Sequence, residues 1–144
     1  MGILTDWDWD VFCPQRSKGF RKKTNSRLRR LSAIGEIEFE RHATFQNVSD
    51  LAGCIETALN LESMGWKGEQ LSSLNSHPAI RDFYLKTLQG LAEQGMLEVQ
   101  FLKLEDRAIA FEIGFRSHGT YYSYKIGFAP EFSKFSPGQI ITCF

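Results

Sequence analysis

Two charged side chains in the last third of this chain have a setting suited to proton transfer or anion binding. Glu112 lies in a run of alternating residues, between Ala110 and Gly114 on its own face. A carboxylate flanked by small residues can reach into a cleft and act as a general base, although a solvent-facing strand residue fits this pattern equally well. Lys125, on the next run, could bind an anionic part of a substrate or cofactor. An ordinary exposed lysine fits this pattern equally well.

A turn near the end of the chain has the composition of an anion-binding site. Ser136, Pro137, Gly138 and Gln139 follow a strand-like run and precede apolar residues, which indicates a helix start. The first N–H groups of a helix lack internal partners and carry the positive end of its dipole, and glycine lets a phosphate approach. The candidate anion-binding residues are therefore Ser136, Gly138, Gln139 and Ile140, with a plain proline-glycine turn as the alternative.

Positive charge is concentrated in one segment, although the chain of 144 residues has no net charge. The eight basic residues of this segment, which contains no acid, are Arg16, Lys18, Arg21, Lys22, Lys23, Arg27, Arg29 and Arg30. Such a cluster can bind nucleic acid or an anionic lipid surface, and nucleic-acid binding through residues 16–30 stays open. Because Phe20, Leu28 and Leu31 add an apolar stripe, the favoured interpretation is a docked helix that contacts an anionic ligand or another part of the protein.

Hydrophobic periodicity predicts the order helix, strand, helix, helix, three strands and a helix start. The predicted helices cover residues 18–34, 49–65 with Ser49 as N-cap, and 78–95, and the predicted strands cover residues 36–42, 97–104, 108–116 and 121–128. Short turns join the last three strands, so the fold class is α/β of the α+β type, with a mixed, mainly antiparallel sheet flanked by helices. Residues 1–17 are interpreted as an irregular lead-in.

Alternation also assigns side chains to the two faces of the last two strands, because successive residues of a strand point to opposite sides. On the first of these strands, Glu112 is predicted to lie on the face opposite Ile113. On the second, Lys125 is predicted to share a face with Ser123, opposite Tyr124.

A series of short motifs runs in order over most of the chain. They are Phe20-Arg21-Lys22, Leu28-Arg29-Arg30-Leu31, Leu61-Glu62, Trp66-Lys67-Gly68, Phe83-Tyr84, Ile109-Ala110-Phe111, Tyr121-Tyr122, Lys125-Ile126-Gly127-Phe128 and Ser136-Pro137-Gly138. Together with the order of elements, they resemble the GNAT acyl-CoA N-acyltransferase superfamily, and within it the CelD-like branch associated with cellulose and exopolysaccharide biosynthesis. Of the superfamily's Gln/Arg-x-x-Gly-x-Gly/Ala loop, this chain keeps only the central glycine, Gly138.

The resemblance implies an N-acyltransferase that moves an acyl group from acyl-CoA to the amine of a small molecule or saccharide. It also implies that acetyl-CoA is the preferred donor, that no metal takes part, and that the reaction is linked to polysaccharide or the cell envelope. The implied residues are Glu112 and Lys125 for catalysis, Ser136, Gly138, Gln139 and Ile140 for the cofactor, and Trp66, Lys67 and Tyr122 for the acceptor. A core role is the alternative for Trp66. The alternative functions are Fem-like aminoacyl transfer from charged tRNA and a non-catalytic binding module.

The same resemblance implies that this chain is part of a longer protein. Residues 18–144 correspond to the first two-thirds of a GNAT-like domain, truncated after the fourth strand, and activity is expected of the full-length protein. Cys13, Cys54 and Cys143 are widely spaced and lack a metal-binding motif, which favours a reduced, cytoplasmic protein. The first residues show no basic flank followed by an apolar run, so a secretory signal is not expected, and no stretch approaches the roughly 20 apolar residues of a membrane span.

Overall fold

The computed structural model describes residues 2–4, 16–65 and 78–143. Its helices are α1 Lys18–Ser32, α2 Val48–Ser63, α3 Pro78–Glu93 and α4 Pro137–Ile141. Its strands are β1 Gly2–Leu4, β2 Ile37–His42, β3 Leu97–Leu104, β4 Arg107–Ser117 and β5 Thr120–Phe128. A short 3₁₀ helix, Pro130–Phe135, precedes α4. The predicted order of elements from α1 to α4 is therefore confirmed.

The strands form one antiparallel sheet in the order β1-β5-β4-β3-β2. Two-residue turns join β3 to β4 and β4 to β5, and they place Glu105, His118 and Gly119 at positive φ angles of 53°, 50° and 71°. Tight turns of this kind match the twist of the strands that they connect. The last three strands lie side by side as predicted, and the predicted fold class is confirmed.

Two hydrophobic clusters lie on opposite faces of this sheet. On the α2/α3 face, Ile55, Leu59 and Leu88 pack against Val99 and Ile113. On the opposite α1/α4 face, another cluster joins Leu31 of α1 and Ile140 of α4 to strand residues. Leu102 and Ala110 are among those strand residues, and both have no exposed surface. The predicted docking of the basic helix α1 through an apolar stripe is confirmed for Leu31.

A β-bulge interrupts the alternation of β5. Gly114 pairs with Ser123, whereas its neighbour Ile113 pairs with Lys125, so Tyr124 has no partner on β4. Directly opposed residues of an antiparallel pair share a face, which places Ser123 and Lys125 on opposite faces of the sheet. The predicted common face for these two residues is therefore wrong, because one inserted residue reverses every later side chain.

Two local features differ from the sequence-based predictions. Helix α2 begins at Val48 because the Asn47 side chain, and not that of Ser49, caps it by accepting the Asp50 N–H at 2.9 Å. Within the predicted irregular lead-in, Gly2–Leu4 forms a strand that pairs with the first three residues of β5. A segment of three residues is too short to show the alternation of apolar and polar residues that predicts a strand.

Candidate active site

The outer edge of β5 provides a backbone surface for an extended ligand. Strand β1 covers that edge only at Thr120–Tyr122, and among the described residues no other strand lies beyond it. The bulge at Tyr124 removes one residue from the ladder just past the covered part. Uncovered edge strands present rows of N–H and C=O groups, and bulges occur frequently next to active sites.

Glu112 lies one strand in from this edge and is buried on the α1/α4 face. Its exposed fraction is 2%, so the solvent-facing interpretation of this residue is wrong. Burial raises the pKa of Glu112, and the nearby hydroxyl groups of Ser123 and Tyr121 offset this only in part. No lysine or arginine within the described ranges forms an ion pair with it. Such a carboxyl group is suited to accept a proton near neutral pH.

Glu98 occupies the same face and has the opposite environment. Its exposed fraction is 1%, and it accepts hydrogen bonds of 2.7 Å each from Arg41, Gln100 and Arg116. Burial acts to raise the pKa of Glu98, but the hydrogen bonds from Arg116, Arg41 and Gln100 together lower it below its usual value. Glu98 is therefore a fixed anion that organises the sheet, and Glu112 is the better proton acceptor.

Lys125 lies on the α2/α3 face, away from Glu112. Its Nζ atom is 2.6 Å from Oε1 of Glu62 in α2, with side-chain exposures of 16% and 5%, and 5.7 Å from the centre of the Tyr84 ring. The interpretation of Lys125 as an ordinary exposed lysine is therefore wrong. The two predicted catalytic residues are separated by the sheet, and their chemical roles remain predictions.

The predicted anion-binding turn uses part of its hydrogen-bonding capacity internally. The N–H groups of Gln139 and Ile140 both donate to the Ser136 carbonyl, at 3.0 and 3.2 Å, and the Ile140 side chain is fully buried. Gly138 lets α4 approach the sheet closely, because a Cβ there would lie 3.3 Å from the Cγ2 atom of Ile126. Two of the amides expected to bind a phosphate thus already have an acceptor in the chain.

A cationic groove lies beside the same turn. Lys22, Lys23 and Ser26 of α1 line it together with Gln139, and its volume is about 670 Å³. Arg27 donates a hydrogen bond to the Gln139 side chain, which ties α1 to the turn. Basic side chains and a hydroxyl are the groups that bind phosphate oxygens, so this groove, more than the turn amides, offers an anion site.

Of the three predicted acceptor-binding residues, the structure describes Tyr122. Tyr122 is 38% exposed, and its ring stacks on Phe115 with centroids 5.1 Å apart. Trp66 and Lys67 lie outside the described residues.

Sequence reasoning missed Glu62 and the bulge, whereas the groove residues Lys22 and Lys23 belong to the basic segment that was expected to contact an anionic ligand. A signal for Glu62 exists, because it continues the helical spacing of the buried Ile55 and Ala58. An acidic residue on an apolar stripe needs a buried partner, which here is Lys125.

The described part of the chain therefore combines a bulged, uncovered edge strand, a buried glutamate behind it and a cationic groove beside the turn at Gln139. The family model of the acetyltransferase (GNAT) domain matches residues 18–143, and the chain belongs to this family. Acyl transfer is therefore its general class of activity, and acyl-CoA is the donor that GNAT domains generally use. No curated protein matches the chain.

The described ranges lack membrane-spanning helices and metal-binding clusters. None of the helices there has the length and apolar character needed to cross a membrane. No group of three or more histidine, cysteine or acidic residues in the same ranges is placed to hold a metal ion.

Proposed function

We propose that this chain is an N-acyltransferase domain that moves an acyl group from acyl-CoA to an amine, in the CelD-like branch and in connection with polysaccharide or the cell envelope. The observation that carries the activity is the uncovered edge of β5 at the bulge, with Glu112 buried behind it. The link to polysaccharide rests on the sequence resemblance alone.

The donor lies along this edge in the proposal. The pantetheine arm of CoA contains two amides, which pair with the backbone of residues 123–128 as an added strand would. Its phosphates lie in the groove lined by Lys22, Lys23 and Gln139, with Ser136, Gly138 and Ile140 forming the adjacent turn. The phosphates then lie close to two positive charges, which favours binding.

The reaction is direct attack of the amine on the thioester within a ternary complex. The new N–C bond forms as the C–S bond breaks, the CoA thiolate leaves, and the amine gives up a proton. Glu112 receives that proton through the hydroxyl group of Ser123, which lies next to the bulge. The backbone amide of Tyr124, at the bulge, stabilises the developing oxyanion.

The remaining predicted residues either stabilise the site or bind the acceptor. The Lys125–Glu62 ion pair joins α2 to β5 beside the bulge and holds the two elements in register. Trp66 and Lys67, which two residues separate from the end of α2 in the chain, bind the acceptor together with Tyr122.

Reversing the charge of the groove tests donor binding. The double variant Lys22→Glu/Lys23→Glu is expected to weaken acetyl-CoA binding at least about tenfold, because two attractive charges become repulsive. Isothermal titration calorimetry of the full chain measures this directly. Arg29→Glu, an exposed position on the same helix outside the groove, is the matched control and is expected to leave the affinity within about twofold.

Equal affinities for the double variant and the control would contradict the groove assignment. Absence of CoA binding to the wild-type chain would contradict the proposed function itself.

The eight basic residues of segment 16–30 favour one second candidate, aminoacyl transfer from charged tRNA. RNA binding with a steep salt dependence, in a chain that does not bind CoA, would support that candidate.

A further inference from the structure

An apolar pocket lies between α3 and the sheet on the α2/α3 face. Its volume is about 150 Å³. Its walls include Tyr84, Leu88 and Leu91 of α3, Leu97 of β3, and Ile113 and Phe115 of β4. Phe83 and Tyr124 also line it, and their exposed fractions of 69% and 57% show that both reach the solvent.

The pocket begins at the bulge. Ile113 and Gly114, the two residues of β4 between which the register shifts, both line it. Tyr124, the inserted residue of β5, lines it as well. Any group bound at the bulge therefore has this pocket directly beside it, on the face of the sheet opposite Glu112.

The polar groups at the pocket wall already have partners. The Thr87 hydroxyl donates to the Phe83 carbonyl at 2.8 Å. The Tyr84 phenol interacts with that of Tyr124, and burial raises the pKa of Tyr84, so it stays neutral. A ligand group in this pocket therefore meets hydrocarbon and aromatic surface, which favours an apolar occupant.

Size restricts the occupant further. A cavity of about 150 Å³ lined by leucine, isoleucine and phenylalanine holds a molecule the size of benzene, about six carbon atoms. The two carbons of an acetyl group would leave most of the pocket unfilled. Each further methylene that leaves water for such a pocket strengthens binding about fourfold.

We propose that this pocket holds the hydrocarbon chain of the donor's acyl group, so that the preferred donor is an acyl-CoA of about six carbons and not acetyl-CoA. This inference rests on the proposed function, which places the thioester at the bulge. The pocket and Glu112 lie on opposite faces of the sheet, so the acyl chain and the proton released by the amine leave the bulge in different directions.

Calorimetric titration with acetyl-, butyryl-, hexanoyl- and decanoyl-CoA tests the inference. The wild-type chain is expected to bind hexanoyl-CoA at least about 20-fold more tightly than acetyl-CoA, with no further gain for decanoyl-CoA. Thr87→Phe, which adds a ring at the pocket wall, is expected to lower the hexanoyl-to-acetyl affinity ratio at least about tenfold. Leu91→Phe is the second pocket variant, for use if the first does not fold.

Lys86→Phe is the matched control, because it adds the same ring to the same helix at a side chain that is 78% exposed. It is expected to leave the affinity ratio at the wild-type value. Equal affinities for all four donors in the wild-type chain would overturn the inference and leave the proposed function standing. Failure of every donor and of CoA itself to bind would overturn both.

Discussion

Replacing Glu98 with alanine is expected to lower the free energy of unfolding at pH 7 by about 3 kcal/mol, the low end of the loss seen when one member of a buried ion pair is removed. Glu98 accepts hydrogen bonds from two guanidinium groups, those of Arg41 and Arg116. Their side chains are 52% and 36% exposed, so water recovers part of the loss. Urea denaturation of the two proteins measures the difference.

The matched control is Glu131→Ala, which removes an exposed ion pair with Arg107 whose side chains are 49% and 55% exposed. Its expected cost is much smaller, because an exposed ion pair contributes little to stability. Because the pKa of Glu98 is lowered in the folded state, its contribution is present above the unfolded value of about 4.3 and is lost as the pH falls through the folded pKa. Equal losses for both variants, or a Glu98 effect that persists in strong acid, would contradict this account.

Replacing Glu112 with glutamine is expected to lower the rate of acyl transfer at least about 100-fold, because a general base contributes at least that much. The same substitution is expected to raise the free energy of unfolding at pH 7. The pKa of Glu112 is raised by burial, so the folded state disfavours the carboxylate. Wild-type stability therefore falls, relative to the variant, as the pH rises from the unfolded value of about 4.3 through the folded pKa.

A lower rate of acyl transfer together with a higher free energy of unfolding in the Glu112→Gln variant would identify a catalytic role for Glu112. Steady-state kinetics with a hexanoyl-CoA donor and urea denaturation at pH 4 and pH 7 give the two readouts. Glu56→Gln, an exposed position on α2, is the control for removal of one carboxylate and is expected to change neither. A variant that loses stability and activity together would indicate a structural role for Glu112, and an unchanged rate would exclude it as the base.

Much of the local structure could be predicted from the sequence. The alternation around Glu112 placed it on the face opposite Ile113, and the structure confirms this. The turns at residues 105–106 and 118–119 follow from short polar segments between apolar runs. Both results depend only on residues within a few positions of one another.

The candidate site could be predicted only in part. Alternation assigned Lys125 to the wrong face, because the bulge at Tyr124 arises from pairing with β4 and not from β5 alone. The partner of Lys125 is Glu62, which is distant in sequence. The amides of Gln139 and Ile140 were expected to point at a ligand, and the turn instead uses them internally.

The sequence by itself therefore determined the four helices from α1 to α4, the strands β2 to β5, their order and the mainly antiparallel sheet, and the family resemblance of its motifs indicated the general class of acyltransferase. Periods of 2 and 3.6 residues and turn composition are local properties that survive in any context. Only the tertiary structure decided which side chains share a face beyond the bulge, which glutamate has a cationic partner and where the apolar pocket lies. These features depend on the register between strands and on the packing of α2 and α3 across the sheet, which the sequence pattern of one segment does not contain.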